Sequence, residues 1–223
     1  MQYGSGLSKM KKYKLIYADP AWSYDNKNVG EKGAGGASHI YDCMTLQEIK
    51  DLPINEIADD DCVLFLWGTI PMLPEAIEVL NSWGFKYKTS LFWNKTPYLG
   101  MGYWFRNNVE ILLVGIKGKV KAFGSNQANI IHYKVRQHSS KPPHFYTIIE
   151  SLGLNPKVEL FARTRRQGWD VWGNQVPNHT QMLLHNICPK GAFNRNLKED
   201  SAESSQIFLD RKTSLNSDIT NKE

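Results

Sequence analysis

Hydrophobic residues fall into two kinds of block along this chain: short unbroken apolar runs, and longer stretches with an apolar residue every third or fourth position. The apolar run Leu15-Ile16-Tyr17-Ala18, the continuous run 62–67 and the apolar-rich segments 90–93, 109–116 and 158–161 predict strands. The 62–67 run has the pattern of a strand covered on both faces. The spacing over 71–84 predicts a helix with Leu73, Ile77, Leu80 and Trp83 on one face and Gly84 ending it. A second helix is expected over 142–152, with Phe145, Ile148, Ile149 and Leu152 inward and Gly153 as its stop. Thr45-Leu46-Gln47-Glu48 matches a capping box opening a short helix that Pro53 stops. Asp59-Asp60-Asp61 reads as a polar turn. Strands alternating with helices at this spacing imply an α/β architecture with a largely parallel sheet.

Two segments break the pattern. Residues 26–38, rich in Gly, Asn and Lys, have no apolar period and read as a mobile loop. Residues 95–105 carry Gly100 and Gly102 among Tyr98, Tyr103 and Trp104. Structureless loops of that size are uncommon unless they have a function. Internal repeats are absent. Beyond Gln175 the apolar density falls, so we expect one domain over 1–176 and a flexible extension over 177–223. A chain of 223 residues buries a sizeable core without staples.

Charge sharpens this division. The chain carries a formal net charge of +5. Residues 177–223 hold six basic and six acidic side chains, so the whole excess lies in residues 1–176. Lys117, Lys119, Lys121, Lys134 and Arg136, with Arg163, Arg165 and Arg166, form either a solvated face or a groove for a phosphate backbone. Cys43, Cys62 and Cys188 suggest neither a disulfide framework nor a metal motif, and a reduced, cytoplasmic setting is the default expectation. No apolar run reaches the length of a membrane span, and residues 1–14 lack the apolar core of a signal peptide.

The candidate chemistry sits at Asp19-Pro20-Ala21-Trp22, directly after the first strand. In open α/β sheets ligands bind at the rim where strands end. There an acid, a stiff bend and a flat aromatic meet the needs of an amino-purine. Its exocyclic N–H would donate to the carboxylate and to a main-chain carbonyl while the ring stacks on Trp22. A plain reading stands beside this one: a strand-ending Asp that caps a turn, then a core-facing Trp.

Five segments together resemble the MT-A70 type of S-adenosylmethionine-dependent adenine N6-methyltransferases. They are Asp19-Pro20-Ala21-Trp22; Leu64-Phe65-Leu66-Trp67; Asn108-Val109-Glu110 leading into Leu113-Val114-Gly115-Ile116-Lys117-Gly118; Ser140-Lys141-Pro142; and Glu159-Leu160-Phe161-Ala162-Arg163 followed by Gly173-Asn174-Gln175. The resemblance covers about residues 13–176 in the right order. It implies a Rossmann-like class I methyltransferase fold, a three-layer sandwich around a mostly parallel mixed sheet. It implies methyl transfer from S-adenosylmethionine to the N6 amine of adenine, with no metal.

The same resemblance assigns roles. Asp19, Pro20 and Trp22 are the catalytic segment. Lys141 matches a lysine that holds the methionine carboxylate, and Asp19 an acid that also neighbours the methionine ammonium. Glu159 and Arg163 match residues near the ribose, and Asn174 and Gln175 the pair at the cofactor's adenine. Trp22, Tyr41, Trp67 and Glu110 are placed against the acceptor base. Plainer readings remain for several: Lys141 as a solvated helix start, Trp67 as core, Glu110 as an edge-strand charge, Asn174-Gln175 as a turn. His39, His132, His138 and His144 lack metal-ligand spacing.

The chain departs from the family at two places. The signature has proline where this chain has Ala21, which loosens the acceptor loop. Arg165 and Arg166 stand where eukaryotic relatives have His and Asn, leaving ribose contacts there open. The compact form resembles bacterial and phage members and points towards DNA. The same reaction on RNA shares every motif. A non-catalytic nucleic-acid-binding subunit is the third reading, against which the retained acid and aromatic argue.

Overall fold

The computed structural model describes residues 11–22, 44–97, 100, 102, 104–135, 140–173 and 176. The expected 26–38 loop, Tyr41, Asn174, Gln175 and the 177–223 extension lie outside the described residues.

The first strand, β1 (Tyr13–Ala18), has Leu15, Ile16, Tyr17 and Ala18 at no more than 1% exposure. Side chains alternate across a strand, so burial of consecutive residues requires cover on both faces. Thr45 then caps α1 (Leu46–Lys50) with the expected capping box. Pro53 ends that helix but opens a second turn, α2 (Ile54–Ile57), whose Ile54 and Ile57 are buried. The sequence pattern gave no sign of α2.

Next comes β2 (Ala58–Thr69), followed by a 3₁₀ turn and α3 (Leu73–Ser82). Gly84 leaves that helix at φ 85°, a conformation open to glycine. The chain continues through β3 (Lys86–Asn94), β4 (Val109–Lys117), β5 (Ile130–His132), α4 (Pro143–Glu150), β6 (Lys157–Leu160) and β7 (Asp170–Trp172).

All seven strands form one sheet in the order β5-β3-β4-β2-β1-β6-β7. Every neighbouring pair is parallel except those made by β4, which runs against both β2 and β3. The sheet is therefore mixed and mostly parallel, as expected. The reversal has a consequence for the rim. The amino end of β4 lies on the same edge as the carboxyl ends of β1, β2, β3 and β6.

Helices cover both faces, which makes three layers. On one face Leu15, Tyr17, Val63, Phe65, Trp67, Leu112 and Val114 pack with Phe145 and Ile149 of α4. On the other, α3 lies so close that a Cβ on Gly115 would fall 3.0 Å from Leu80 Cδ1. The Trp83 indole, after α3, donates to the Ile49 carbonyl of α1 at 2.9 Å.

Some expectations need correction. Asp59-Asp60-Asp61 is the opening of β2, not a turn. Asp60 and Asp61 are exposed, and Asp61 accepts from the Lys119 backbone N–H at 2.6 Å. The acids fit a strand end with little cover. On α3 the buried side chains are Ala76, Val79 and Leu80, while Leu73 and Ile77 are only half buried. β3 starts four residues before the expected Ser90, because its exposed first half carries no apolar signal and is defined by pairing with β4. The three-residue strands β5 and β7 are too short to show a period.

The tight approach at Gly115 generates a prediction. Gly115→Val should force α3 away from the sheet and destabilise the fold by about 1–3 kcal/mol, the scale of overpacking a dense core. Urea unfolding followed by circular dichroism checks this. An unchanged midpoint would mean that α3 yields freely.

Candidate active site

Asp19 leaves β1 immediately after Ala18, which is registered with Leu66 on β2 and Leu160 on β6. It therefore emerges at the centre of the rim. Pro20 bends the chain and Ala21 carries it back over the end of β2. There the Trp22 indole is buried, and its Nε1 donates to the Trp67 carbonyl at 3.1 Å. Trp22 also forms a bridge with Met44.

Lys141, just before Pro142 and α4, reaches Asp19 and Glu110 together. Its Nζ lies 2.8 Å from Asp19 Oδ1 and 3.2 Å from Glu110 Oε2, and 5.0 Å from the centroid of the Trp67 ring. Glu110 is the second residue of β4, opposite Thr69 on β2 and Trp93 on β3. Its other oxygen is bound by Lys95, whose ammonium sits 5.0 Å over the Trp93 ring. Four alternating charges thus run along the rim: Asp19, Lys141, Glu110, Lys95. They are paired end to end and sum to zero.

Burial opposes such charges, so their partners decide the protonation states. For Lys141, desolvation pulls the pKa down, but the attraction of Asp19 and Glu110 outweighs it and the pKa is raised. For Glu110, desolvation pushes up, but Lys141 and Lys95 hold the carboxyl below its ordinary range. Both groups stay ionised at neutral pH.

A second acid stands one strand away. Glu159 on β6 is registered with Tyr17 on β1 and Val171 on β7. Tyr146 descends from α4 and donates its hydroxyl to Glu159 Oε1 at 2.7 Å. Its ring packs edge-on against Tyr17 and Trp169, at 5.1 and 5.8 Å between centroids. Burial pushes the Glu159 carboxyl up to about 7; Asp19 adds to the rise and the Tyr146 hydroxyl limits it. Behind Tyr146, the Arg166 guanidinium stacks 4.3 Å from the ring centroid. Arg166 is clamped by two bonds to Glu150, at 2.7 and 3.3 Å, and Glu150 also accepts from Trp169 Nε1 at 2.8 Å.

The sequence-assigned residues therefore divide. Asp19, Lys141 and Glu110 meet directly, and Glu159 lies one strand over. Arg163 is half buried in the turn after β6. That turn begins at Phe161, held at φ 62°, a conformation costly for a residue with a Cβ. Trp67, which the resemblance places against the acceptor base, is buried. Its ring is 1% exposed, donates to the Tyr17 hydroxyl at 2.7 Å and packs edge-on against Phe145 and Trp93. With no open face it supports Lys141 from beneath, in keeping with the core alternative.

Sequence reasoning missed Lys95 and Tyr146, and named Arg166 only as a departure at a ribose position. Lys95 follows a recognisable strand, but nothing in its neighbours shows that it faces Glu110. Among the described residues no cluster of His, Cys, Asp and Glu could hold a metal ion. Nor is any helix there long and apolar enough to cross a membrane.

Comparison with known proteins adds three findings. A family model described as MT-A70 matches residues 13–175. The Type II methyltransferase M.MunI of Mycoplasma sp is 35% identical over 190 residues, covering 76% of this chain and 80% of that protein. The N(6)-adenosine-methyltransferase catalytic subunit METTL3 of Homo sapiens is 30% identical over 181 residues, covering 76% of this chain but only 29% of that protein.

The Glu159 environment yields a pH prediction. Its folded pKa of about 7 lies above the ordinary 4.5, so the fold favours the neutral carboxyl. The stability linked to this group is complete below about pH 4.5 and is lost as pH rises through about 7. Glu159→Gln keeps an acceptor for Tyr146 and removes the titration. Variant minus wild-type melting temperature should therefore increase between pH 5 and pH 8, by a few degrees. A flat difference would show that the burial does not raise this carboxyl.

Proposed function

The chain belongs to the MT-A70 family, and on that premise we propose that it transfers a methyl group from S-adenosylmethionine to the N6 amine of adenine in DNA. The observation that carries this reading is the Asp19–Lys141–Glu110 junction, an acid held ready at the sheet rim by a buried lysine. Methyltransferases of this family in general take S-adenosylmethionine as donor.

The rim chemistry fits that cofactor. Two of the three Lys141 N–H donors are engaged by Asp19 and Glu110, which leaves one for a ligand carboxylate. Lys141 binds Oδ1 of Asp19, and among the described residues no partner is shown on Oδ2, the oxygen that in this reading meets a ligand ammonium or amine. Glu159, raised to about 7 and with Oε1 on Tyr146, gains from a hydroxyl donor such as a ribose supplies. Arg163, Asn174 and Gln175 complete the cofactor contacts in this reading. When bound, the cofactor supplies a methyl group on a sulfonium, an activated leaving centre.

The protein's own part concerns the acceptor. The N6 lone pair of adenine is delocalised into the ring and is a poor nucleophile. Hydrogen bonds from the amine to the Asp19 carboxylate and the Pro20 carbonyl localise that lone pair and aim it. As positive charge develops on nitrogen, Asp19 stabilises it. Lys141 keeps Asp19 oriented through the approach. Trp22, buried and anchored to the Trp67 carbonyl, borders the acceptor pocket in this reading, together with Tyr41 and Glu110.

DNA is favoured because this chain spans most of the Type II methyltransferase and under a third of the N(6)-adenosine-methyltransferase. The second of these names is why RNA stays as the other substrate to be assayed. Incubating purified protein with S-adenosylmethionine and either DNA or RNA, then digesting to nucleosides for mass spectrometry, tests the reading. N6-methyladenine is expected in the DNA digest. Its absence from both digests overturns the proposal.

Asp19→Ala should lower the methylation rate by at least about a hundredfold, the scale for removing a contact to developing charge. Near wild-type methylation would sink the role given to Asp19. Ala21→Pro restores the family signature, and among the described residues nothing is found to accept from the Ala21 N–H. Turnover should be equal or higher with cofactor affinity unchanged. A clear drop in kcat would show that this loop depends on the freedom of Ala21.

A further inference from the structure

The chain contains seven tryptophans, and six of them, Trp22, Trp67, Trp83, Trp93, Trp169 and Trp172, are at most 7% exposed. The seventh, Trp104, is 93% exposed, and its neighbour Phe105 is 88% exposed. A chain that buries every other tryptophan leaves two adjacent aromatic rings in water at one place. Exposed apolar surface of this kind marks contact with a partner.

The location narrows the partner. Trp104 and Phe105 lie on the connection between β3 and β4, whose base is closed by hydrogen bonds from Lys95 N to the Asn108 carbonyl and from Gly100 N to the Asn107 carbonyl, at 2.8 and 2.9 Å. The arm rises from the part of the rim where Lys95 and Glu110 meet. Trp104 is six residues from Glu110, so its backbone is at most about 20 Å from that acid. The turn is tight: a Cβ on Gly102 would fall 1.9 Å from the Phe105 carbonyl oxygen. Glycine there permits the bend that carries both rings, and Arg106 follows them on the exposed side.

We propose that Trp104, with Phe105 beside it, is a wedge that enters the base stack of duplex DNA and fills the space left when the target adenine swings out to Asp19. The inference rests on the functional reading above. An adenine paired in a duplex cannot bring its N6 to a carboxylate set into a sheet rim, so the base must leave the helix. The gap that remains loses its stacking, and apolar side chains inserted at such steps offset part of that loss. A second copy of the chain is the weaker occupant. Two aromatic side chains present roughly 300–500 Å², well short of the 1,200 Å² or more that stable interfaces bury.

The test compares duplex DNA with the same DNA denatured to single strands, for wild type, Trp104→Ala and Phe105→Ala. Both rings are exposed, so neither change should alter the fold. Trp104→Ala should lose at least about tenfold in methylation of the duplex, the scale of one stacked ring. It should stay within about twofold of wild type on single strands, whose bases need no extrusion. Phe105→Ala should show the same pattern more weakly. Equal loss on both forms, or no loss on either, overturns the wedge. So does a change of oligomeric state in Trp104→Ala seen by analytical ultracentrifugation, which would assign the rings to a protein interface. A wild type inactive on both forms overturns the assignment to adenine methylation, and the wedge with it.

Discussion

The pairing of Lys141 with Asp19 and Glu110 is the interaction on which the rest of the site depends. A lone buried ammonium would shed its proton, and a lone buried carboxylate would take one up. Joined to Asp19 and Lys95, Lys141 and Glu110 stay charged in a place where most of their water is gone. Such networks contribute little net stability, because desolvation consumes most of the attraction. What they supply is geometry. Asp19 is held at one oxygen by a lysine that is itself fixed against Glu110 and the Trp67 ring.

Sheet topology makes that pairing possible. Asp19 comes from the carboxyl end of β1 and Glu110 from the amino end of β4, and the two meet only because β4 runs against its neighbours. A wholly parallel sheet would put Glu110 on the opposite edge. The third party arrives with α4, whose Phe145 and Ile149 are buried in the core beneath. The same helix lowers Tyr146 onto Glu159. One packed helix therefore sets both the lysine beside the acceptor acid and the tyrosine beside the second carboxyl, so core packing and site geometry are linked.

The alternation of apolar runs and helical periods was enough to read β1, β2, β4, α3, α4 and β6, because burial on both faces leaves a strong signal in sequence. What it could not give was anything decided by pairing rather than by burial: the exposed half of β3, the short β5 and β7, and the overhang at Asp59-Asp60-Asp61. The site shows the same division. Asp19 and Glu159 stood out as acids among apolar residues at strand ends. Lys95 did not, because its role arises from a partner 15 residues away and no local pattern encodes that partner. Trp67 shows the opposite limit. Its letter suits a base-stacking residue equally well, and only its burial assigns it to the core.

The departure at Ala21 is understandable in the same terms. In the family signature a proline at this position stiffens the turn. Here Pro20 already fixes one torsion, and the segment beyond Ala21 is tied down by the Trp22 indole on the Trp67 carbonyl and by the bridge to Met44. On its other side, Asp19 is held by Lys141. Ala21 is thus a single free link between two anchored residues. Replacing one such link by proline changes the entropy of the unfolded chain by about 0.4–1 kcal/mol. Tertiary contacts thus hold both ends of the segment around Ala21. Trp67 joins these contacts: its main-chain carbonyl, its ring and its indole N–H meet Trp22, Lys141 and Tyr17 at once.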